Sequence, residues 1–207
     1  MISLDNRLKT AAALCRRGVT VCDVGTDHAL LACHLAMNGA KEVIASDIND
    51  GPLEAARETV IRTGVKNVRV LKSDGLKNID FANDVIICGM GGEMIASILE
   101  AAPWTATGVH KLVLQPMTNG NRLRRWLADN GYAIEKEGLA REGERLYVVM
   151  QAVGGKTDGC GRENHYLFTE KLLSDPLFPE YLEKLRLKYE KSRQGRASAG
   201  LDTSEED

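Results

Sequence analysis

Aromatic side chains make up only 5% of this 207-residue chain, and proline occurs five times. No apolar run approaches the ~20 residues that cross a bilayer; the longest, Asp84–Cys88 and Lys111–Leu114, are far shorter. The segment Met1–Arg7 has no basic stretch leading into an apolar core, so no secretory signal is expected. Neither sign of charge dominates: 27 Lys+Arg face 29 Asp+Glu, a formal net charge of -2. Cys15, Cys22, Cys33, Cys88 and Cys160 are odd in number, scattered and free of any C-x-x-C pair, which fits reduced thiols in a cytoplasmic protein. The histidines (His28, His34, His110 and His165) have no metal-ligand spacing. These absences argue against a membrane protein, a disulfide scaffold and a metal site.

What is present is an alternation of β-rich and helical segments over residues 1–154. A helix is expected over 4–17, where Leu4, Leu8, Ala11, Ala12 and Cys15 recur at helical spacing and Gly18 closes the run. Strands follow at 19–24, 42–46, 67–71, 84–88 and 111–114. The helices between them cover 28–38, 52–63 (stopped by Gly64), 92–101 and 121–130. Two final strands, 132–137 and 145–153, are joined too tightly for a crossover helix and should pair antiparallel. Apolar strands separated by helices imply a doubly wound parallel sheet. The fold class is therefore α/β: five parallel strands plus an antiparallel hairpin, the outline of a Rossmann-like methyltransferase. Gly154–Arg162 reads as a linker. Residues 163–174 and 179–194 read as two helices of a C-terminal appendage spanning 162–196, and 197–207 as a small, acidic, poorly ordered tail.

Ligands of open α/β sheets bind beyond the carboxyl ends of the strands. Four successive strand ends here carry suggestive residues: Asp23-Val24-Gly25, Asp47, Asp74-Gly75, and Gly89-Met90-Gly91-Gly92. Gly25 lets the backbone approach a ligand, and an acid 22 positions later, Asp47, suits ribose hydroxyls. A dinucleotide fingerprint requires G-x-G-x-x-G, but the frame reads Gly25-Thr26-Asp27-His28-Ala29-Leu30. A carboxylate at the second glycine position repels a pyrophosphate and is harmless beside a sulfonium. Asp74 could accept the adenine amino group. These features favour S-adenosylmethionine over NAD. Exocyclic-amine methyltransferases carry an [Asn/Asp]-Pro-Pro-[Tyr/Phe] turn after the fourth strand, which is absent here. A ring nitrogen with its own lone pair needs no such turn, only alignment, exclusion of water and tolerance of positive charge. Asp27 and His28, heading the first site helix, are candidates to orient such an acceptor, with helix capping as the structural alternative.

The blocks Asp23-Val24-Gly25-Thr26-Asp27-His28-Ala29, Ser46-Asp47-Ile48-Asn49, Gly89-Met90-Gly91-Gly92 and Leu114-Gln115-Pro116 resemble the bacterial tRNA (adenine(22)-N1)-methyltransferase family, TrmK, over residues 2 to about 195. The resemblance implies S-adenosylmethionine as donor, tRNA as substrate and a two-helix coiled coil that helps hold the RNA. It implies a donor site of Gly25, Asp47, Ile48, Asp74, Gly75 and the Gly89, Met90, Gly91 turn, with Asp23 beside it. It places Asp27 and His28 as catalytic residues and Arg7, Met90, Gln115 and Pro116 around the acceptor. Leu30 stands where the family carries an aromatic residue.

Charge adds two clusters. Residues 1–150 hold 18 basic and 18 acidic side chains, so the basic footprint is local. Arg122, Arg124 and Arg125 lie together. Lys184, Arg186, Lys188, Lys191, Arg193 and Arg196 outnumber Glu183 and Glu190 on the last helix, with Lys188 and Lys191 as candidate RNA contacts. A monomer or weak dimer is expected. A small-molecule methyltransferase and a non-catalytic RNA-binding module are the alternatives.

Overall fold

The computed structural model describes residues 2–155 and 166–198. Strands β1 (Thr20–Val24), β2 (Glu42–Asp47), β3 (Val68–Lys72), β4 (Asp84–Gly91), β5 (Lys111–Thr118), β6 (Tyr132–Glu142) and β7 (Arg145–Gly154) form one sheet in the order β3-β2-β1-β4-β5-β7-β6. The first five pair parallel, and β7 is antiparallel to both β5 and β6. The expected class of fold is the one observed. Helices α1 (Asn6–Leu14), α2 (Leu30–Met37), α3 (Asp50–Thr63), α4 (Gly92–Glu100), α5 (Gly120–Asp129) and α6 (Phe178–Ser198) complete the described secondary structure, together with short 3₁₀ turns. None of the described helices is long and apolar enough to cross a membrane.

The pleat splits the core in two. Val21, Val43, Ala45, Ile86 and Val113 point to one face, where α1, α2 and α3 contribute Ala11, Leu31, Cys33 and Ala56. Cys22, Ile44, Val85, Ile87, Leu112 and Leu114 point to the other, against Ile95, Leu99, Leu123 and Leu127 of α4 and α5. Strands covered on both faces require this near-continuous apolar character, which is why the strands could be read from sequence.

Three boundaries differ for identifiable reasons. α1 ends at Leu14 rather than 17, because buried Asp84 draws Arg16 away from the helix. Its Oδ2 accepts the Arg16 backbone N–H at 2.7 Å and its Oδ1 accepts Nε at 2.7 Å. The β6–β7 hairpin is far tighter than the expected gap of 138–144, with Glu142 pairing directly to Arg145. Gly138, which looked like a break, is a strand residue opposite Val149. A Cβ there would sit 3.4 Å from Thr10 Cγ2, so its smallness lets α1 lie against β6. α2 starts at Leu30, two residues late, because Ala29 adopts a left-handed conformation (φ 52°).

The appendage departs furthest from expectation. Residues 163–165 lie outside the described residues, and 166–174 hold no α-helix, with a 3₁₀ turn at Glu170–Leu172. Side-chain stitching replaces helical bonding there. Glu137 accepts from Thr169 Oγ1 at 2.6 Å, Asp175 Oδ2 accepts the Leu139 N–H at 2.8 Å, and Leu172 is fully buried. α6 begins on this platform, where Phe178 meets Phe168 edge to face at 5.0 Å and Glu180 pairs with Arg141. The linker residues 156–162 and the tail beyond Ser198 also lie outside the described residues.

Candidate active site

β1, β2, β3, β4 and β5 run parallel, so their carboxyl ends, with Gly25, Asp47, Asp74 and Gly89–Gly92 just at or after them, lie along one edge of the sheet. After β1 the chain turns sharply: Gly25 takes φ +76°, and the N–H groups of Gly25 and Thr26 both donate to the Ser46 carbonyl, at 2.8 and 2.9 Å. This lashes the loop to the end of β2. Asp23 is buried beneath it and accepts from Thr26 Oγ1 at 2.8 Å. Burial, only partly offset by that hydrogen bond, pushes its carboxyl up to about 6.

Asp47 closes β2. Its Oδ1 accepts the Asn49 N–H at 2.8 Å, and the adjacent Ile48 side chain is exposed. Asp74 pairs with Lys77 after β3, and Gly75 (φ +57°) has Ile98 of α4 3.1 Å from where a Cβ would stand. A ligand amine reaching Asp74 would therefore meet an exposed carboxylate that already has one cationic partner.

The β4 loop is the most constrained part. Pairing with β5 is irregular between Cys88 and Gly91, and Met90 comes to face Pro116. Gly89 (φ +81°) donates its N–H to Gln115 Oε1 at 3.1 Å. The same oxygen accepts Arg7 Nη1 at 2.7 Å, so α1 reaches across the sheet to hold the loop through a fully buried glutamine. Arg7 is in turn held by Asp5, 3.1 Å from Nη2. Asp5 also caps α1 by accepting the Leu8 N–H at 2.7 Å. Asp5 went unremarked in the sequence, although an acid immediately before a helical run is an ordinary capping signal. Met90 folds back over the first loop, where its Cε occupies the space a Gly25 side chain would need.

Asp27 and His28 stand on the loop ahead of α2. Their side chains are 80% and 57% exposed, and His28 Nε2 lies 3.7 Å from Asp27 Oδ1, too far for a hydrogen bond. Neither caps α2, whose N-cap is Ala29 with no side-chain bond. The capping alternative is thereby removed, and both groups are free to face a ligand.

The basic clusters divide. Arg124 is buried and paired with the buried Glu137 at 2.6 Å, while Arg122 pairs with Glu93, so the 122–125 triplet does not form a surface patch. On α6, Arg186 is bracketed by Glu183 and Glu190. Lys188 and Lys191 are exposed, and only Lys188 lines the cleft that opens beside Pro116.

A methyltransferase-domain family model matches residues 4–150. The tRNA (adenine(22)-N(1))-methyltransferase of Bacillus subtilis (strain 168) is 37% identical over 163 residues, covering 77% of this chain and 68% of that one. This chain belongs to the TrmK family. The B. subtilis m1A22 tRNA methyltransferase TrmK crystal structure superposes with a TM-score of 0.82 at 31% identity, over 100% of this chain and 92% of that one. The Mycoplasma capricolum TrmK structure, a complex with S-adenosyl-homocysteine, gives 0.79 at 27% identity, over 91% and 84%. A Streptococcus pneumoniae relative is solved in complex with S-adenosyl-L-methionine and gives a TM-score of 0.83 at 30% identity, over 96% of this chain and 94% of that one. The residues at these strand ends suit such a donor chemically. The positive-φ turn at Gly25 offers backbone with no side chain, and the buried Asp23 supplies negative charge near where a cationic donor would lie.

Proposed function

We propose that this chain transfers a methyl group from S-adenosylmethionine to N1 of adenine 22 in tRNA. The observation that carries this reading is that the TrmK match runs through the donor loops and extends beyond them, over the hairpin and into α6. When bound, the donor supplies an electrophilic methyl on a sulfonium. Adenine N1 brings its own in-plane lone pair, so the chain need not remove a proton before transfer. Its task is alignment and electrostatics.

Gly25 and Gly89–Gly91 would frame the donor, with Asp47 and Ile48 at the ribose and adenine and Asp74-Gly75 at the adenine amino group. Arg7, through Gln115, fixes the Gly89 backbone and hence the height of the loop against the base. Met90 and Pro116 face each other across the strand ends and would exclude water from the line of transfer. The N–C bond forms as the S–C bond breaks, and positive charge moves from sulfur to the purine. Asp27 would stabilise that arriving charge, and His28 would orient the ring. Lys188 and Lys191 would contact RNA phosphates.

The test is transfer of labelled methyl to unmodified bulk bacterial tRNA, followed by nuclease digestion. N1-methyladenine at position 22 is the expected product. Labelling of small acceptors without tRNA labelling would replace this reading with that of a small-molecule enzyme.

A further inference from the structure

We propose that the cleft between the Pro116–Asn121 turn, the β6–β7 hairpin and α6 seats an unpaired nucleotide of the substrate RNA adjacent to the target, its base against tyrosine and its phosphates on the cationic rim. This rests on the reading of the chain as a tRNA methyltransferase.

The cleft holds about 590 Å³, within the roughly 300–1,000 Å³ range of sites that enclose small ligands. Tyrosine is scarce here, with five in the chain, yet Tyr147, Tyr181 and Tyr189 all line this one space. The last two lie on one face of α6 with Leu185 between them, at helical spacing i, i+4, i+8. Tyr147 comes from β7.

Cations accompany the rings. Arg145, Lys184 and Lys188 also line the cleft, against a single exposed carboxylate, Glu144. Lys184 bonds the Glu144 backbone carbonyl and pairs with Glu180 at 3.1 Å, tying the helix to the hairpin tip. Lys188 Nζ lies 5.8 Å from the Tyr189 ring centroid, placing positive charge beside an aromatic face. Arg124 lines the cleft as well, and its Nε has no hydrogen-bond partner among the described residues.

Rings and cations side by side are what a nucleotide requires: a π-face for the base and point charges for the backbone. An acidic peptide would use the cations and leave the rings idle. Position completes the argument. Pro116 lines the cleft and is also the β5 register partner of Met90 in the β4 loop, so the cleft adjoins the proposed methyl-transfer site.

The test uses the full chain and a fluorescent, unstructured ten-nucleotide RNA, with binding followed by anisotropy across a salt series. Tyr147→Leu and Tyr189→Leu are each expected to raise Kd about tenfold with the salt slope unchanged, as loss of one stacked base would. Lys188→Gln is expected to flatten the log–log slope by about 0.7, the value for one single-strand phosphate contact. Donor affinity and melting temperature should stay at wild-type values. Tyrosine variants that bind like wild type overturn the proposal, as does poly-glutamate competing as well as RNA at equal charge. Photocrosslinking of wild type to a 4-thiouridine-bearing RNA guards against misfolded variants: adducts should map to peptides holding Tyr147 or Tyr189, and adducts only elsewhere overturn the proposal. Wild type that methylates tRNA while the tyrosine variants are unaffected removes the cleft alone. RNA bound through the cleft without any methyl transfer removes the enzymatic reading alone.

Discussion

Met90 lies directly over Gly25: the methyl end of its side chain fills the space in which any Gly25 side chain would begin. Two loops far apart in sequence, one after β1 and one after β4, are thus in contact at the point where the proposed donor would enter. Gly25→Ala brings two penalties. Its φ of +76° is left-handed, costing a non-glycine residue about 1–2 kcal/mol, and the new methyl displaces Met90. The melting temperature should fall by a few degrees, at about 2–4 °C per kcal/mol for a chain of this size. Donor affinity, read by calorimetry, should weaken at least about tenfold, which takes only ~1.4 kcal/mol. Adding Met90→Ala should restore part of that affinity. Unchanged donor binding in Gly25→Ala would place the donor elsewhere.

Asp23 makes stability depend on pH in an unusual direction. Its folded-state carboxyl titrates at about 6, raised by burial from an ordinary value of 3.8. Between those values the folded protein holds a proton that the unfolded chain has released, so stability falls as pH rises through the window and stays lower above it. Asp23→Asn should remove this dependence. In urea melts from pH 4 to 7, wild type should lose on the order of 1–3 kcal/mol relative to the variant. Parallel curves would show that Asp23 does not titrate in this range. A cationic donor near Asp23 favours the carboxylate, so wild-type donor affinity should rise as pH passes about 6.

Much of this arrangement was legible in the chain because the relevant signals are local. Gly64 ends α3 in a left-handed cap (φ 71°), as its position after a helical run implied. Strand-end acids could be found because parallel strands under two helical layers have few polar residues in their interior. What remained hidden depended on distant partners. Nothing near Arg124 in sequence announces Glu137, which converts a residue of an apparent surface triplet into half of a buried ion pair. Gly138 resembles a turn residue until α1 is seen lying against it. Residues 166–174 have helical spacing, yet Glu137 and Asp175 satisfy local backbone and side-chain groups in other ways, and tertiary bonding prevails over propensity.

Asp27 is exposed and free of capping duty, so its removal should cost little stability. Asp27→Ala is expected to retain donor affinity and the wild-type melting temperature while turnover on tRNA falls by about tenfold or more, the loss of one partly solvated charge interaction in the transition state. Asp27→Asn should recover little, because the charge matters more than the shape. Near-normal turnover in either variant would take Asp27 out of the reacting site.

Arg7 and Gln115 should behave as one unit. Gln115 Oε1 accepts both Arg7 Nη1 and the Gly89 N–H, so it transmits the position of α1 to the donor loop. Arg7→Ala removes a charge-assisted hydrogen bond, of the kind that contributes about 1.5–3 kcal/mol, and leaves Gln115 Oε1 with the Gly89 N–H while its Nε2 still donates to the Pro116 carbonyl. Gln115→Ala removes both bonds to Oε1 and the Nε2 bond to the Pro116 carbonyl, and leaves a void at a fully buried position, so it should be the more destabilising of the two, by about 2–4 kcal/mol in total. For kcat/KM on tRNA, each single variant should lose about ten- to a hundredfold. The double variant should lose scarcely more than Gln115→Ala, because Arg7 acts through a partner that is already gone. The resulting coupling, about 1 kcal/mol or more, separates this arrangement from two independent contacts. Additive losses would mean that Arg7 touches the acceptor directly and that the glutamine holds the loop without it.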